Sequence, residues 1–238
     1  RTRVMVDATF ATPYHQRVLE IPGIDVSIHA GTKYLGGHSD VLAGLVSSND
    51  ADFVQRLGKA QKLFGAPLPA FDSFLLARGM KSFDVRMERH NRNAMALAKW
   101  LEKECSVSSW SPVLAVHYPG LESHPDHELA KRSFQNGFGG MLSFEVAGGV
   151  EGGATFVESL KLISLAVSLG STESLIEHPA SMTHAMMPRM QRLEAGITDG
   201  LIRFSVGLEA EQDLREDLTQ ALAKAAQRVV GSELRCGK

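Results

Sequence analysis

The apolar positions in the first third of the chain come in short runs separated by polar and glycine-rich stretches. Val4 to Val6, Val26 to Ile28 and Leu42 to Val46 read as β-strands, and Asp50 to Leu63 reads as a helix with its charges on one side. Strands alternating with helical pattern predict an α/β fold. Gly65-Ala66-Pro67-Leu68-Pro69 interrupts the pattern. Beyond it, Met87, Ala94, Ala98 and Leu101 recur on one face of a long helix that ends by Glu104 and links two domains. Farther on, Met141 to Ala147 and Leu201 to Val206 read as strands. Glu209 to Val230 reads as a helix, with Leu214, Leu218 and Leu222 at helical spacing. The expected division places residues 1–85 in one domain, and residues 86–238 in the linking helix and a smaller α+β domain. No internal repeat or low-complexity segment interrupts it.

At 238 residues and 44% apolar content, the chain can bury a substantial core. A formal charge of −2 provides no basic field for nucleic acid or anionic lipid. No apolar run approaches the roughly 18 residues that span a bilayer, so neither nucleic acid nor membrane is an expected partner. Two cysteines, Cys105 and Cys236, cannot build a disulfide framework and lack metal-ligand spacing, which points to a reducing compartment. The chain opens on Arg1-Thr2-Arg3 and runs straight into a strand with no leader pattern, so its natural start is expected upstream.

The richest stretch chemically is His29-Ala30-Gly31-Thr32-Lys33-Tyr34-Leu35-Gly36-Gly37-His38-Ser39-Asp40, one lysine flanked by a hydroxyl residue and glycines after a β-like run. A free ammonium in a buried, β-rich region is costly, and imine formation is one way to meet that constraint. Enzymes that bind pyridoxal phosphate (PLP) present a Schiff-base lysine together with an acidic partner for the pyridine nitrogen. Asp7, at the end of the first strand, is the candidate partner, and Thr9 follows it in Ala8-Thr9-Phe10. Thr32 can donate to a phosphate, with Gly31 permitting close backbone approach.

In Gly200-Leu201-Ile202-Arg203-Phe204-Ser205-Val206-Gly207, the large apolar residues Ile202, Phe204 and Val206 share one face of a strand. Arg203 projects from the other, placed to grip an α-carboxylate by two parallel hydrogen bonds. His124, His127, His178 and His184 show no closed tetrahedral pattern with cysteine, so no metal is expected. Met182, Met186, Met187 and Met190 read as adaptable packing, and the acidic face of the last helix as solvated.

These segments, with Phe71-Asp72-Ser73-Phe74-Leu75-Leu76-Ala77-Arg78-Gly79-Met80-Lys81, Tyr118-Pro119-Gly120-Leu121-Glu122-Ser123-His124-Pro125 and Leu165-Ala166-Val167-Ser168-Leu169-Gly170-Ser171-Thr172-Glu173-Ser174-Leu175, resemble the Cys/Met-metabolism family of PLP enzymes. That family includes cystathionine γ-lyases, methionine γ-lyases and cystathionine γ-synthases. The resemblance runs from Val4 through Leu218 and matches the latter part of a family member. It implies the aspartate-aminotransferase-like fold type I of PLP-dependent transferases. Residues 1–85 are then the second half of the large PLP-binding domain, and 86–238 the linking helix and small C-terminal domain.

The resemblance also implies roles. Lys33 is the Schiff-base lysine and proton shuttle; Asp7, Thr9 and Thr32 contact the cofactor; Arg203 and Ser168 hold the substrate carboxylate. Ala30 stands where the family often has a second phosphate-binding serine. Val167 occupies a substrate-side position that is usually glutamate in cystathionine-handling members and valine in methionine γ-lyases. Ser39 points the other way, since methionine γ-lyases tend to have glycine there. The implied reaction is γ-elimination from a sulfur amino acid, giving a thiol, 2-oxobutanoate and ammonia. The alternatives are γ-replacement, as in cystathionine γ-synthase or O-acetylhomoserine sulfhydrylase, and a non-catalytic oligomerisation module lacking half the cofactor site. A cytoplasmic homotetramer, a dimer of dimers with active sites shared across each dimer, is the implied assembly.

Overall fold

A computed structural model describes residues 2–106 and 112–236; the side chains of Cys105 and Cys236 lie outside the described residues. The chain begins with β1 (Met5–Asp7), the short helix α1 (Thr12–His15), a 3-10 turn (Val18–Glu20), β2 (Val26–Ala30) and β3 (Gly44–Ser48). Three helices follow: α2 (Ala51–Phe64), α3 (Ala70–Met80) and the long α4 (Phe83–Ser106). The remainder is β4 (Val113–His117), α5 (His127–Ser133), β5 (Met141–Val146), α6 (Gly149–Glu158), β6 (Ser164–Leu165), β7 (Leu175–Glu177), α7 (Arg189–Glu194), β8 (Leu201–Ser205) and α8 (Glu211–Cys236).

Two sheets result. β1 pairs parallel to β2, and β3 joins β2 antiparallel. The second sheet has the order β4-β5-β8-β7-β6, with only the β6–β7 pair parallel. Its core is filled by Phe144 of β5, Ile202 and Phe204 of β8, Phe156 of α6, Leu97 and Leu101 of α4, and Leu214 and Leu218 of α8. Each such side chain stabilises the fold by about 1.5–3 kcal/mol when fully buried.

The face expected on α4 is present, and Met87, Ala94, Ala98 and Leu101 are all fully buried. It serves two clusters. Ala94 through Leu101 join the five-stranded core, whereas Met87 packs with Tyr34 and Leu169. A helix rises about 1.5 Å per residue, so α4 is long enough to reach from that core to the loop carrying Lys33.

Several sequence expectations shift. The third strand begins at Gly44, not Leu42, because Leu42 is exposed and Ala43 turns its carbonyl to the Thr32 N–H at 3.3 Å. α2 has Asp50 as its cap, accepting from the Phe53 N–H at 3.0 Å, but no residue of it is buried, and Leu63 and Phe64 lie in the open. The Gly-Pro stretch hides the start of α3, which begins directly after Pro69, whose φ of −57° is already helix-compatible.

The acidic face of α8 is not wholly solvated. Asp217 is buried and accepts the backbone N–H groups of Lys161, Leu162 and Ile163 at 2.8, 2.9 and 2.9 Å. Burial alone would raise its carboxyl, but these donors outweigh it and hold it below its ordinary value of 3.8. A carboxylate depressed in the folded state stabilises above the unfolded value, and that contribution fades as pH falls through the folded one. Asp217→Asn is expected to cost about 2–3 kcal/mol in urea unfolding at neutral pH. The deficit shrinks when the comparison is repeated below pH 3.8.

Candidate active site

The Lys33 loop is a compact turn at the end of β2. The Lys33 N–H donates to Ala30 O at 3.1 Å, Gly36 N–H to Gly31 O at 2.8 Å, and Gly37 N–H to Lys33 O at 2.7 Å. A Cβ at Gly31 would crowd Leu45 Cδ1 at 2.9 Å and Ala43 Cβ at 3.0 Å, so the loop packs tightly against the chain entering β3. Gly37 has φ +72°, and a Cβ there would run into the Arg86 guanidinium. Arg86 reaches from α4 and donates to Tyr34 O (2.8 Å), Gly79 O (3.0 Å) and Leu35 O (3.4 Å), gripping the loop just beyond the lysine.

Lys33 Nζ donates to Ser168 Oγ at 2.8 Å. Burial, reinforced by the positive charge of Arg203, holds the amine below its ordinary value, so it gives up its proton more readily than a surface lysine. Arg203 Nη1 donates to Ser168 O at 3.1 Å and to Glu177 Oε1 at 3.3 Å. Arg203 and Glu177 face each other in the β7–β8 register. Three groups placed by separate stretches of sequence, Lys33, Ser168 and Arg203, therefore form one connected chain. Val167 precedes Ser168 and is 54% exposed.

Asp7 and Thr9 form a second group on the same sheet as the lysine loop. Asp7 Oδ1 accepts the Thr9 hydroxyl at 2.6 Å and its N–H at 2.9 Å. These bonds hold the carboxyl below its ordinary value, the hydroxyl contributing most. The Thr9 hydroxyl in turn accepts Ala30 N–H at 2.8 Å, so Thr9 clips β1 to the end of β2 and orients Asp7. An open cleft of about 450 Å³ is lined by Asp7, Thr9, Phe10, Gln16, Ala30 and Phe134. Thr32 is engaged locally: its hydroxyl accepts Ala43 N–H at 3.0 Å and donates weakly to Ala43 O at 3.4 Å.

Two features were missed in the sequence. Glu177 carries a signal: it is an acidic residue in an apolar strand, and buried carboxylates are rare unless paired. The second is a latch between the two sheets. Thr172 N–H donates to Gly37 O at 3.0 Å, and Ser39 Oγ donates to Glu173 Oε1 at 2.6 Å, with Ser171 Oγ also in reach of Ser39. Burial would raise the Glu173 carboxyl, but hydrogen bonds led by that from Ser39 keep it below its ordinary value. Ser39 has φ +56°, a left-handed conformation that glycine adopts without cost. A glycine there keeps the turn and the Thr172–Gly37 bond but loses the hydroxyl's contacts with Glu173 and Ser171.

The histidines have protein partners. His127 Nδ1 lies 2.9 Å from Pro119 O, His178 bonds Ser181 Oγ and Asp199 O, both at 2.8 Å, and His184 lies 2.9 Å from Thr183 Oγ1. His124 Nδ1 accepts Asp126 N–H at 3.1 Å.

Comparison with known proteins identifies the family. The family model described as Cys/Met metabolism PLP-dependent enzyme matches residues 1–223. An L-methionine gamma-lyase of Fusobacterium nucleatum subsp. polymorphum is 50% identical over 225 residues, 94% of this chain and 55% of that protein. A cystathionine beta-lyase of Lactococcus lactis subsp. cremoris is 50% identical over 220 residues, 92% of this chain and 56% of the relative. The crystal structure of cystathionine gamma synthase from Xanthomonas oryzae pv. oryzae, in complex with aminoacrylate and cysteine, aligns with a TM-score of 0.86 at 42% identity, over 96% of this chain and 57% of that one. The chain spans little more than half the length of the relatives it matches. Its fold is the α/β fold of these PLP enzymes, fold type I as the resemblance implied. With a family model matched over residues 1–223, relatives about half identical in sequence and solved structures of matching fold, the chain belongs to the Cys/Met metabolism family of PLP-dependent enzymes.

Proposed function

We propose that this chain serves a PLP-dependent carbon–sulfur lyase acting on sulfur amino acids by γ-elimination, of the methionine or cystathionine γ-lyase type. The observation that carries this reading is the Lys33 amine bonded to Ser168 Oγ at 2.8 Å, with Arg203 on the Ser168 carbonyl and the apolar Val167 alongside. The donor set fits PLP: an amine shifted toward neutrality, a carboxylate held ionised and an open cleft at that carboxylate. Lys33 would hold the cofactor, Asp7 its pyridine nitrogen, and Thr32 with the Gly31 backbone its phosphate; Thr9 would orient Asp7. Bound there, PLP supplies an electron sink for negative charge that develops on the substrate carbons.

The chain's own residues do the rest. Lys33 Nζ takes the substrate's Cα proton and carries protons onward, and Ser168 Oγ holds that amine in place between transfers. Arg203, with Ser168, grips the α-carboxylate and keeps the breaking bonds aligned. Val167 faces the side-chain tail, where it favours a thioether over a charged group. Departure of the γ-sulfur as a thiol and hydrolysis of the remainder give 2-oxobutanoate and ammonia. Residues 1–85 act as the second half of the cofactor domain and 86–238 as linking helix and small domain, within a cytoplasmic homotetramer whose dimers share their active sites.

Product analysis of the complete protein with methionine, with cystathionine, and with O-acetylhomoserine plus cysteine tests the reading. Thiol with 2-oxobutanoate from methionine or cystathionine supports it. Pyruvate with homocysteine from cystathionine would mark β-elimination, the reaction its relative named cystathionine beta-lyase favours. Net cystathionine synthesis would mark replacement. Val167→Glu is expected to lower kcat/KM for methionine by about 10- to 100-fold while sparing cystathionine, because a carboxylate suits the distal ammonium and repels an apolar tail.

A further inference from the structure

We infer that Glu177 is a positioning residue for substrate binding: it fixes the Arg203 guanidinium so that its free edge faces the incoming α-carboxylate. The inference rests on the proposed role of Arg203 as that anchor. Glu177 projects from β7 directly opposite Arg203 of β8, and its side chain is 6% exposed against 27% for the arginine. One carboxylate oxygen accepts from Arg203 Nη1 at 3.3 Å, and the other is buried with no hydrogen-bond partner. The same Nη1 also donates to Ser168 O at 3.1 Å. Both bonds to the protein thus fall on one nitrogen of the fork, which leaves Nη2 and Nε as the adjacent donor pair that a carboxylate engages bidentately.

A flexible arginine loses rotamer freedom whenever it grips a ligand, and a guanidinium already held from behind loses less. The geometry of the acceptor matters here more than its charge. Neutralising Glu177 weakens the hold on Arg203 but also removes repulsion toward a second carboxylate, so these effects oppose. Shortening it keeps the charge and withdraws the oxygen from Nη1.

The test is equilibrium binding to the complete cofactor-loaded protein, by calorimetry, of norleucine and of its methyl ester. Norleucine offers an α-carboxylate and an apolar tail without a sulfur leaving group. Glu177→Asp is expected to weaken norleucine binding about tenfold, Glu177→Gln to stay within about threefold of the wild type, and the ester to bind all three alike. Unchanged norleucine affinity in Glu177→Asp overturns the inference, as does equal loss in Glu177→Gln and Glu177→Asp, or equal loss for the ester. Arg203→Ala separates the two levels. If it leaves norleucine binding intact, the anchor reading falls and Glu177 falls with it; if it weakens binding while Glu177→Asp does not, only the Glu177 inference falls.

Discussion

Lys33→Ala is expected to lower turnover of a sulfur amino acid by at least about a thousandfold in the complete protein, since the proposed role makes one group both the amine and the proton carrier. The amine donates to Ser168 Oγ and is held below its ordinary value by burial and by Arg203. Removing it takes away the proposed reacting nitrogen and relieves a partly buried charge, so chemical denaturation is expected to show little change in stability. Lys33→Arg is no substitute, because a guanidinium keeps its proton at all relevant pH and cannot act as the nucleophile. Single-turnover and multiple-turnover assays, read beside the visible spectrum, check this. A Lys33→Ala protein that completes many turnovers contradicts the proposed role.

Arg86→Ala is expected to destabilise the fold by about 3 kcal/mol, through the buried Tyr34, Leu35 and Gly79 carbonyls it leaves without their donor. Its effect on activity is expected to exceed what stability alone explains. Two of the three carbonyls that Arg86 holds belong to the residues following Lys33, and a misplacement of 1 Å at a reacting group can cost about a hundredfold in rate. Denaturation measures the first effect, and kcat under conditions where the variant remains folded measures the second. Full kcat in folded Arg86→Ala would show that the loop holds its shape without the guanidinium.

Much of this was legible in the chain. The alternation in β8 set Ile202 and Phe204 against Arg203, and the structure buries the first two and leaves Arg203 half-buried on the opposite face. Lys33 stands out by its hydroxyl and glycine neighbours, whereas Ser168 is pointed to only by the family resemblance. What stayed hidden depends on three-dimensional partners. Met87 shares its helical face with Ala94 and Leu101, so periodicity cannot reveal that it belongs to another cluster, with Tyr34. Asp217 looks like any acidic residue of a solvated helix until three N–H groups close on it. The sequence points to Thr9 as a ligand contact but gives no sign that its hydroxyl joins Asp7 to Ala30. Ser39 suggested a different substrate from Val167. Its hydroxyl is spent on Glu173, which explains its presence without any substrate at all.

The amine and the guanidinium belong to different sheets, Lys33 following β2 and Arg203 lying within β8, and the Ser39–Glu173 and Thr172–Gly37 bonds bind the two together. On the proposed roles the site would work as a calliper: the jaw with Arg203 would grip the carboxylate, the jaw with Lys33 would meet the α-carbon, and the latch would set the opening. Changes at Ser39, Ser171 or Glu173 can therefore retune which substrates fit while leaving every substrate-touching side chain as it was.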